Sequence, residues 1–173
     1  PHTGFAPHPH RDMEIITYVR TGAISHKDSL GNAGRTEAGD VQVMSAGTGI
    51  VQSEKKEEDV ETTLFQIWIT PTRTGETQSW GARPFPKGAR AGTFVTLASG
   101  YADDDALPIR TDARVLGATI KAGETVEYAL GKERRGYLVP ATGALQIDGQ
   151  RVKARDGVAS RDQEVLRVTA LED

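Results

Sequence analysis

Short apolar runs separated by turn residues make up most of the chain. The runs are rich in Val, Ile, Thr, Tyr and Leu. They include EIITYV (14–19), VQVMSA (41–46), LFQIWIT (64–70), TFVTL (93–97), GYLVPA (136–141) and ALQIDG (144–149). Turn signals such as Thr48-Gly49, Thr74-Gly75 and Asp148-Gly149 lie between them. Short strands at this spacing predict an all-β fold made of sandwiches or barrels.

One charged segment has the composition of a helix. EKKEEDVE (54–61) contains a single apolar anchor, Val60, and therefore lacks the apolar stripe that a surface helix buries. We interpret it as a solvated loop or a short turn.

A stretch rich in proline and glycine predicts a linker near the middle of the chain. GARPFPKGARAG spans residues 81–92. We therefore predict an N-terminal domain at residues 1–90 and a C-terminal domain at residues 91–173.

Composition narrows the classes of function. The 173 residues are 37% hydrophobic and carry a net charge of −3. No run approaches the roughly 18 apolar residues that a membrane span needs, and no basic tract predicts direct binding to nucleic acid. Cysteine is absent, which excludes disulfides and thiolate ligands. This composition favours a cytoplasmic protein.

Two histidines, His8 and His10, stand one residue apart where a strand-like run begins. Side chains alternate between the faces of a strand, so these two point the same way. Gln52 and Glu54 share a face for the same reason. Two imidazoles and a carboxylate form the facial arrangement that suits non-haem iron(II). A polar strand end is the alternative interpretation.

The segment 4–54 resembles the first domain of the pirin family, especially bacterial pirins similar to quercetin 2,3-dioxygenases. The motifs that carry the resemblance are HPH followed by R and MEI-TY, then H-DS-GN, AGD-Q-MSAGTGI and, further along, QIW. The similarity extends more loosely through the second half. It implies a bicupin, which is a tandem of two cupin β-barrels, with a metal ion, usually iron, in the first barrel only.

The resemblance places the family's metal ligands on His8, His10, Gln52 and Glu54. Gln52 stands where the family has a third histidine, and an amide oxygen is a poorer ligand than imidazole for iron(II), zinc or nickel. The resemblance thus implies Fe(II) first, with Mn(II), Ni(II) or Zn(II) as alternatives and an empty site as a further outcome. Glu14 stands where many other cupins place a ligand glutamate, and in a regular strand it would lie beside the ligands.

The second half of the chain has no histidine, because His26 is the last one. We expect His26 to pair with Asp28 rather than to bind metal, and we expect domain 91–173 to be structural or regulatory. Family members carry strands before the HPH segment. This chain begins almost at that segment, so we expect the first barrel to have an open edge.

Two functions follow from the resemblance. The first is a metal-dependent quercetin 2,3-dioxygenase that opens a flavonol ring, with Glu54 as the base that takes the substrate proton and with Gln52 as a weak ligand or hydrogen-bond donor. The pKa of Glu54 would have to rise for this work. The second is a non-enzymatic regulator that binds a protein partner, for which segment 54–61 offers a surface. A homologue that keeps only the fold is a third interpretation.

Overall fold

The computed structural model describes residues 3–57, 59–85 and 87–173. Within these ranges the chain consists of strands and turns with one short 3-10 helix, Lys87–Arg90. The all-β prediction is confirmed, and the described part of segment 54–61 contains no helix. Across the same ranges, no helix is long and apolar enough to cross a membrane.

The chain packs into two compact units. The first is formed by Pro1–Phe85 and Thr96–Leu116, and the second by Pro86–Val95 and Gly117–Asp173. Residues 96–116 therefore pack with the first unit, although they follow the linker in sequence. The division of the chain at residues 90 and 91 stays a prediction.

Most strands of the first unit belong to two four-stranded antiparallel sheets, and β9 to β11 form a smaller sheet. The strands are β1 (Gly4–His10), β2 (Glu14–Thr21), β3 (Ala23–Asp28), β4 (Ala33–Glu37), β5 (Val41–Ser45), β6 (Ile50–Lys55), β7 (Thr63–Ile69), β8 (Ser79–Arg83), β9 (Val95–Ser99), β10 (Leu107–Pro108) and β11 (Arg114–Gly117).

The two large sheets of the first unit face each other. Their strand orders are β1-β6-β3-β4 and β7-β2-β5-β8. Gln42 of β5 and Gln66 of β7 both reach Glu54 on β6 of the opposite sheet. Trp80 of β8 stacks on His26 of β3. The candidate chemistry thus lies between the sheets, above an apolar cluster of Ile15, Met44, Ala46 and Ile50 with Met13 and Trp80.

A β-bulge in β1 changes which side chains face the interior. Phe5 lies opposite Glu54 and His8 lies opposite Gln52, so β1 has one residue more than β6 over this stretch. Directly opposed residues share a face. The extra residue therefore brings Phe5 and His8 to the same face, although a regular strand would place them on opposite faces.

The glycine turn between β5 and β6 is held by close backbone contacts. Thr48 N–H donates to the carbonyl oxygen of Glu76 and Asp12 N–H donates to that of Gly47, both at 2.9 Å. Gly47 has a φ of +51°, and a Cβ there would lie 2.2 Å from the Glu76 oxygen. Only glycine fits this turn, and the turn fixes where β6 begins.

The second unit has its own sheets and its own core. Its strands are β12 (Thr125–Ala129), β13 (Gly136–Leu138), β14 (Ala144–Ile147), β15 (Gln150–Lys153), β16 (Val158–Ser160) and β17 (Val165–Ala170). They form a sheet of order β12-β17-β14-β15 and the pair β13-β16. The buried core consists of Leu145, Ile147, Val152, Leu166 and Val168.

We predict that Gly34→Ala destabilises the first unit. A Cβ at Gly34 would lie 2.3 Å from Cη2 of Trp80, and that indole is held in a stack with the His26 ring at a centroid distance of 5.0 Å. Overpacking of this kind costs about 1–3 kcal/mol. Urea unfolding measures the loss.

The matched control is Gly81→Ala on β8, where a Cβ would meet Leu107 at an ordinary 3.6 Å. Equal unfolding midpoints for the two variants would contradict the packing argument.

Candidate metal centre

The histidine pair of β1 presents ring nitrogens suited to a metal ion. His8 Nδ1 lies 2.8 Å from the carbonyl oxygen of Ala6. A carbonyl only accepts hydrogen bonds, so Nδ1 carries the proton and Nε2 of neutral His8 carries the lone pair. The ring of His10 meets that of His8 edge to face, with centroids 4.7 Å apart. Among the described residues, the buried Nε2 of His10 has no hydrogen-bond partner.

The charge state of His10 also suits ligation. Burial lowers the pKa of His10, and the neighbouring His8 lowers it further. A lowered pKa keeps the imidazole neutral down to a lower pH than usual. Only neutral imidazole binds a metal, so the environment favours the form that ligation needs.

Gln52 lies directly opposite His8 in the ladder and is almost fully buried. Its Nε2 is 3.5 Å from Nε2 of His8. Because the lone pair is on His8, the amide is the donor. This distance is at the long limit for a hydrogen bond, so an ion at the His8 lone pair would displace only a weak contact.

Glu54 is a buried carboxylate, 3% exposed, that accepts hydrogen bonds at both oxygens. Gln42 Nε2 donates to Oε1 at 2.7 Å, and Gln66 Nε2 donates to Oε2 at 3.3 Å. Burial raises the pKa of Glu54, and the nearby His26 and His8 and the two amides offset part of that rise. The result is a carboxylate more basic than usual, as a proton acceptor requires.

Each of the two glutamines is oriented by a donor on its far side. Gln66 Oε1 accepts from the indole N–H of Trp68 at 2.9 Å, and Gln42 Oε1 accepts from the hydroxyl of Thr36 at 3.0 Å. With the amide oxygens engaged there, both NH2 groups point at Glu54. The carboxylate is therefore held by a network that spans both sheets.

His26 pairs with Asp28, as predicted. Its Nε2 lies 3.1 Å from Asp28 Oδ2, while the backbone N–H of Leu30 and of Asn32 both donate to Oδ1. Burial alone would raise the pKa of Asp28, but the bonds from Asn32, His26 and Leu30 hold it below its usual value. Asp28 thus closes the hairpin turn and anchors His26.

The structure places Glu14 away from the ligands. β1 and β2 belong to different sheets, so the parity of a single regular strand does not carry over from the histidines to Glu14. Thr17 lies opposite Gln42 and Gln66, whose side chains enter the interior, and alternation puts Glu14 on the other face. There it accepts a hydrogen bond from the backbone N–H of Arg110 at 2.7 Å.

The donor set fits a divalent metal ion, although the side chains are not gathered around one point. Within residues 3–57, 59–85 and 87–173, no three His, Asp or Glu side chains form a group that could hold a metal. The imidazoles of His8 and His10 fit because their Nε2 atoms lack strong partners among the residues that the structure describes. Glu54 fits because each carboxylate oxygen keeps a second lone pair beside its amide bond, as in ligating carboxylates oriented by hydrogen bonds.

Sequence reasoning missed Gln42 and Gln66, and for the adjacent Ile67 and Trp68 it predicts only that one of the two faces the interior. A signal was present: each glutamine is a polar residue inside an otherwise apolar strand, in VQV and in FQIW. Buried polar side chains need partners, so both could have been proposed as supports of a buried charge. Trp68, not Ile67, takes the interior side, because it shares its strand face with Gln66.

Comparison with known proteins gives the same family for both halves of the chain. Residues 2–69 match the family model Pirin, and residues 96–173 match the quercetinase C-terminal cupin domain. A pirin-like protein from Caulobacter vibrioides is 66% identical over 174 residues, which cover 100% of this chain and 75% of that protein. A quercetin 2,3-dioxygenase from Escherichia coli K12 is 36% identical, with 98% of this chain and 73% of that protein covered.

A solved structure agrees with the sequence matches. The bacterial pirin YhhW from Escherichia coli, in complex with nickel(II), superposes with a TM-score of 0.89 at 34% identity. The alignment covers 98% of this chain and 72% of that one. The chain therefore belongs to the pirin family, and its fold is of the cupin type.

Proposed function

We propose that the first unit is a metal-dependent oxygenase that acts on flavonol-like aromatic compounds. His8, His10 and Glu54 would hold the ion, with Gln52 as a weak fourth ligand or as a donor to the substrate. The observation that carries the proposal is the state of the histidine pair: the His8–Ala6 bond leaves the Nε2 lone pair of His8 available, and Nε2 of His10 has no partner among the described residues.

Iron(II) is the first choice of metal, and nickel(II), manganese(II) and zinc(II) are alternatives. When bound, such an ion supplies Lewis acidity and open coordination positions for substrate and dioxygen. Support comes from the Escherichia coli quercetin 2,3-dioxygenase and from the nickel(II) complex of YhhW.

Glu54 supplies the base. In the proposed reaction its Oε2 takes the proton of a flavonol hydroxyl, because Oε2 has the longer hydrogen bond, 3.3 Å against 2.7 Å at Oε1. Gln42 keeps Oε1 fixed while Oε2 gains the proton. The raised pKa of Glu54 brings the carboxylate closer to the operating pH, which is where a general base works best.

A non-enzymatic binding module is the second candidate. Two observations favour it. Both carboxylate oxygens of Glu54 already accept hydrogen bonds. Among the described residues, no three His, Asp or Glu side chains form a group that could hold a metal. In this case the first unit would serve as a recognition surface for a regulatory protein partner.

We predict that Gln52→His strengthens metal binding. A third imidazole is a far better ligand than an amide, so affinity for iron(II), measured anaerobically, and for nickel(II) should rise by about ten- to a hundredfold. His8→Ala should abolish stoichiometric binding in the wild-type background and should only weaken it in the Gln52→His background, where two imidazoles and Glu54 remain. Titration calorimetry together with elemental analysis of the purified protein measures both effects.

The matched control for the added histidine is Gln146→His, at an exposed position of β14. It should leave the affinity of the first unit unchanged. If Gln146→His and Gln52→His bind nickel(II) equally well, the proposed ligand set is wrong.

We predict dioxygen-dependent loss of quercetin by the iron-loaded protein. Glu54→Ala removes the base and one proposed ligand, so the rate is compared at equal iron content, where it should fall by about 10²–10⁴-fold, the range for losing general-base catalysis. An oxygen electrode and the quercetin absorbance band report turnover, with Gln146→His as the active reference. Metal uptake without turnover in the wild-type protein would favour the binding module.

A further inference from the structure

Four aromatic rings form a continuous series of contacts that includes the two candidate ligands, His8 and His10. Phe5 contacts His8 at a centroid distance of 6.0 Å, His8 contacts His10 at 4.7 Å and His10 contacts Trp68 at 5.2 Å. All three contacts are edge to face. The two imidazoles are therefore flanked by a phenyl ring on one side and an indole on the other.

The two outer rings are exposed. Phe5 is 61% exposed and Trp68 is 56% exposed, so each keeps much of its apolar surface in water. Large aromatic side chains gain most when that surface is buried. The exposed indole of Trp68 beside a pair of candidate ligands offers apolar surface that a planar molecule would cover on binding.

Specific features of the fold bring both rings to this side. The bulge in β1 turns Phe5 to the face of His8 and Glu54. Trp68 lies on the interior side of β7 with Gln66, and its indole N–H is already bonded to the Gln66 oxygen at 2.9 Å. With its polar atom engaged, the indole offers a ligand only apolar surface.

Trp68 is also connected to the base. The Gln66 amide that accepts from the indole donates through Nε2 to Glu54 Oε2. A ligand resting on Trp68 therefore contacts the side chain that orients Gln66. Gln66 in turn donates to the Glu54 oxygen that is proposed to take the proton.

We propose that Phe5 and Trp68 form an aromatic clamp that stacks a planar ring system over His8 and His10, and that Trp68 positions Glu54 through Gln66. Phe5 and Trp68 would thus bind the substrate class of the proposed function, and this inference rests on that function for its chemistry. Binding by the clamp itself requires no metal.

Anaerobic titration calorimetry with quercetin and metal-free protein tests the clamp. Trp68→Ala should raise the Kd by about tenfold and Phe5→Ala by about three- to tenfold, as expected for losing one stacking contact with its buried area. Tyr137→Ala, which removes a 74% exposed aromatic side chain from the second unit, should leave the Kd unchanged. Thermal melting of each variant checks folding.

Trp68→Phe separates stacking from positioning. Phenylalanine can stack but has no N–H, so the Kd should stay within about threefold of wild type while Gln66 loses the donor that orients it. In the iron-loaded enzyme we expect a lower kcat with little change in KM. A variant that matches wild type in kcat overturns the positioning role.

The two proposals fail in different ways. If metal-free wild-type protein does not bind quercetin, or binds it no better than Trp68→Ala does, the clamp is overturned. If quercetin binds and Trp68→Ala weakens it, but the iron-loaded protein consumes no dioxygen, the clamp stands and the oxygenase proposal falls.

Discussion

A buried carboxylate between two sheets is the constraint around which the first unit is organised. Removing an ionised carboxylate from water is costly unless hydrogen bonds replace the lost hydration. Glu54 receives that replacement from Gln42 of β5 and Gln66 of β7, the two strands on either side of β2. The presence of Gln42 and Gln66 inside otherwise apolar strands follows from this one group. The neighbouring histidines then share an interior that is already polar.

Much of this arrangement could be predicted from sequence, because strand alternation is a local property. It placed His8 with His10 and Gln52 with Glu54 on shared faces, and it gave the all-β architecture. Alternation predicts the wrong face where a strand contains an extra residue or where the chain passes to another sheet. The bulge that turns Phe5 to the face of His8 leaves no reliable mark in the sequence, and β1 and β2 belong to different sheets, so the parity of the histidines does not extend to Glu14. Contacts made only after two sheets pack, such as those of Gln42, need the tertiary structure.

Gln52 is the buried amide of the proposed ligand set, and it lies between the two candidate roles of weak ligand and hydrogen-bond donor. It is buried opposite His8 with its amide against the imidazole. This long contact supplies a donor to the His8 lone pair while no ion is bound. In the proposed ligand set the neutral amide is the weakest of the four donors.

The direction of the hydrogen bonds around Glu54 restricts where a proton can travel. Trp68 donates to Gln66 and Thr36 donates to Gln42, and both glutamines donate onward to the carboxylate. Both arms therefore converge on Glu54, and an amide neither accepts a proton at nitrogen nor releases one readily near neutral pH. A proton gained by Glu54 has no relay through either arm into the interior. In the proposed reaction the two glutamines would therefore hold the carboxylate in place without carrying its proton away, so the same carboxylate would be free to return the proton to the bound molecule.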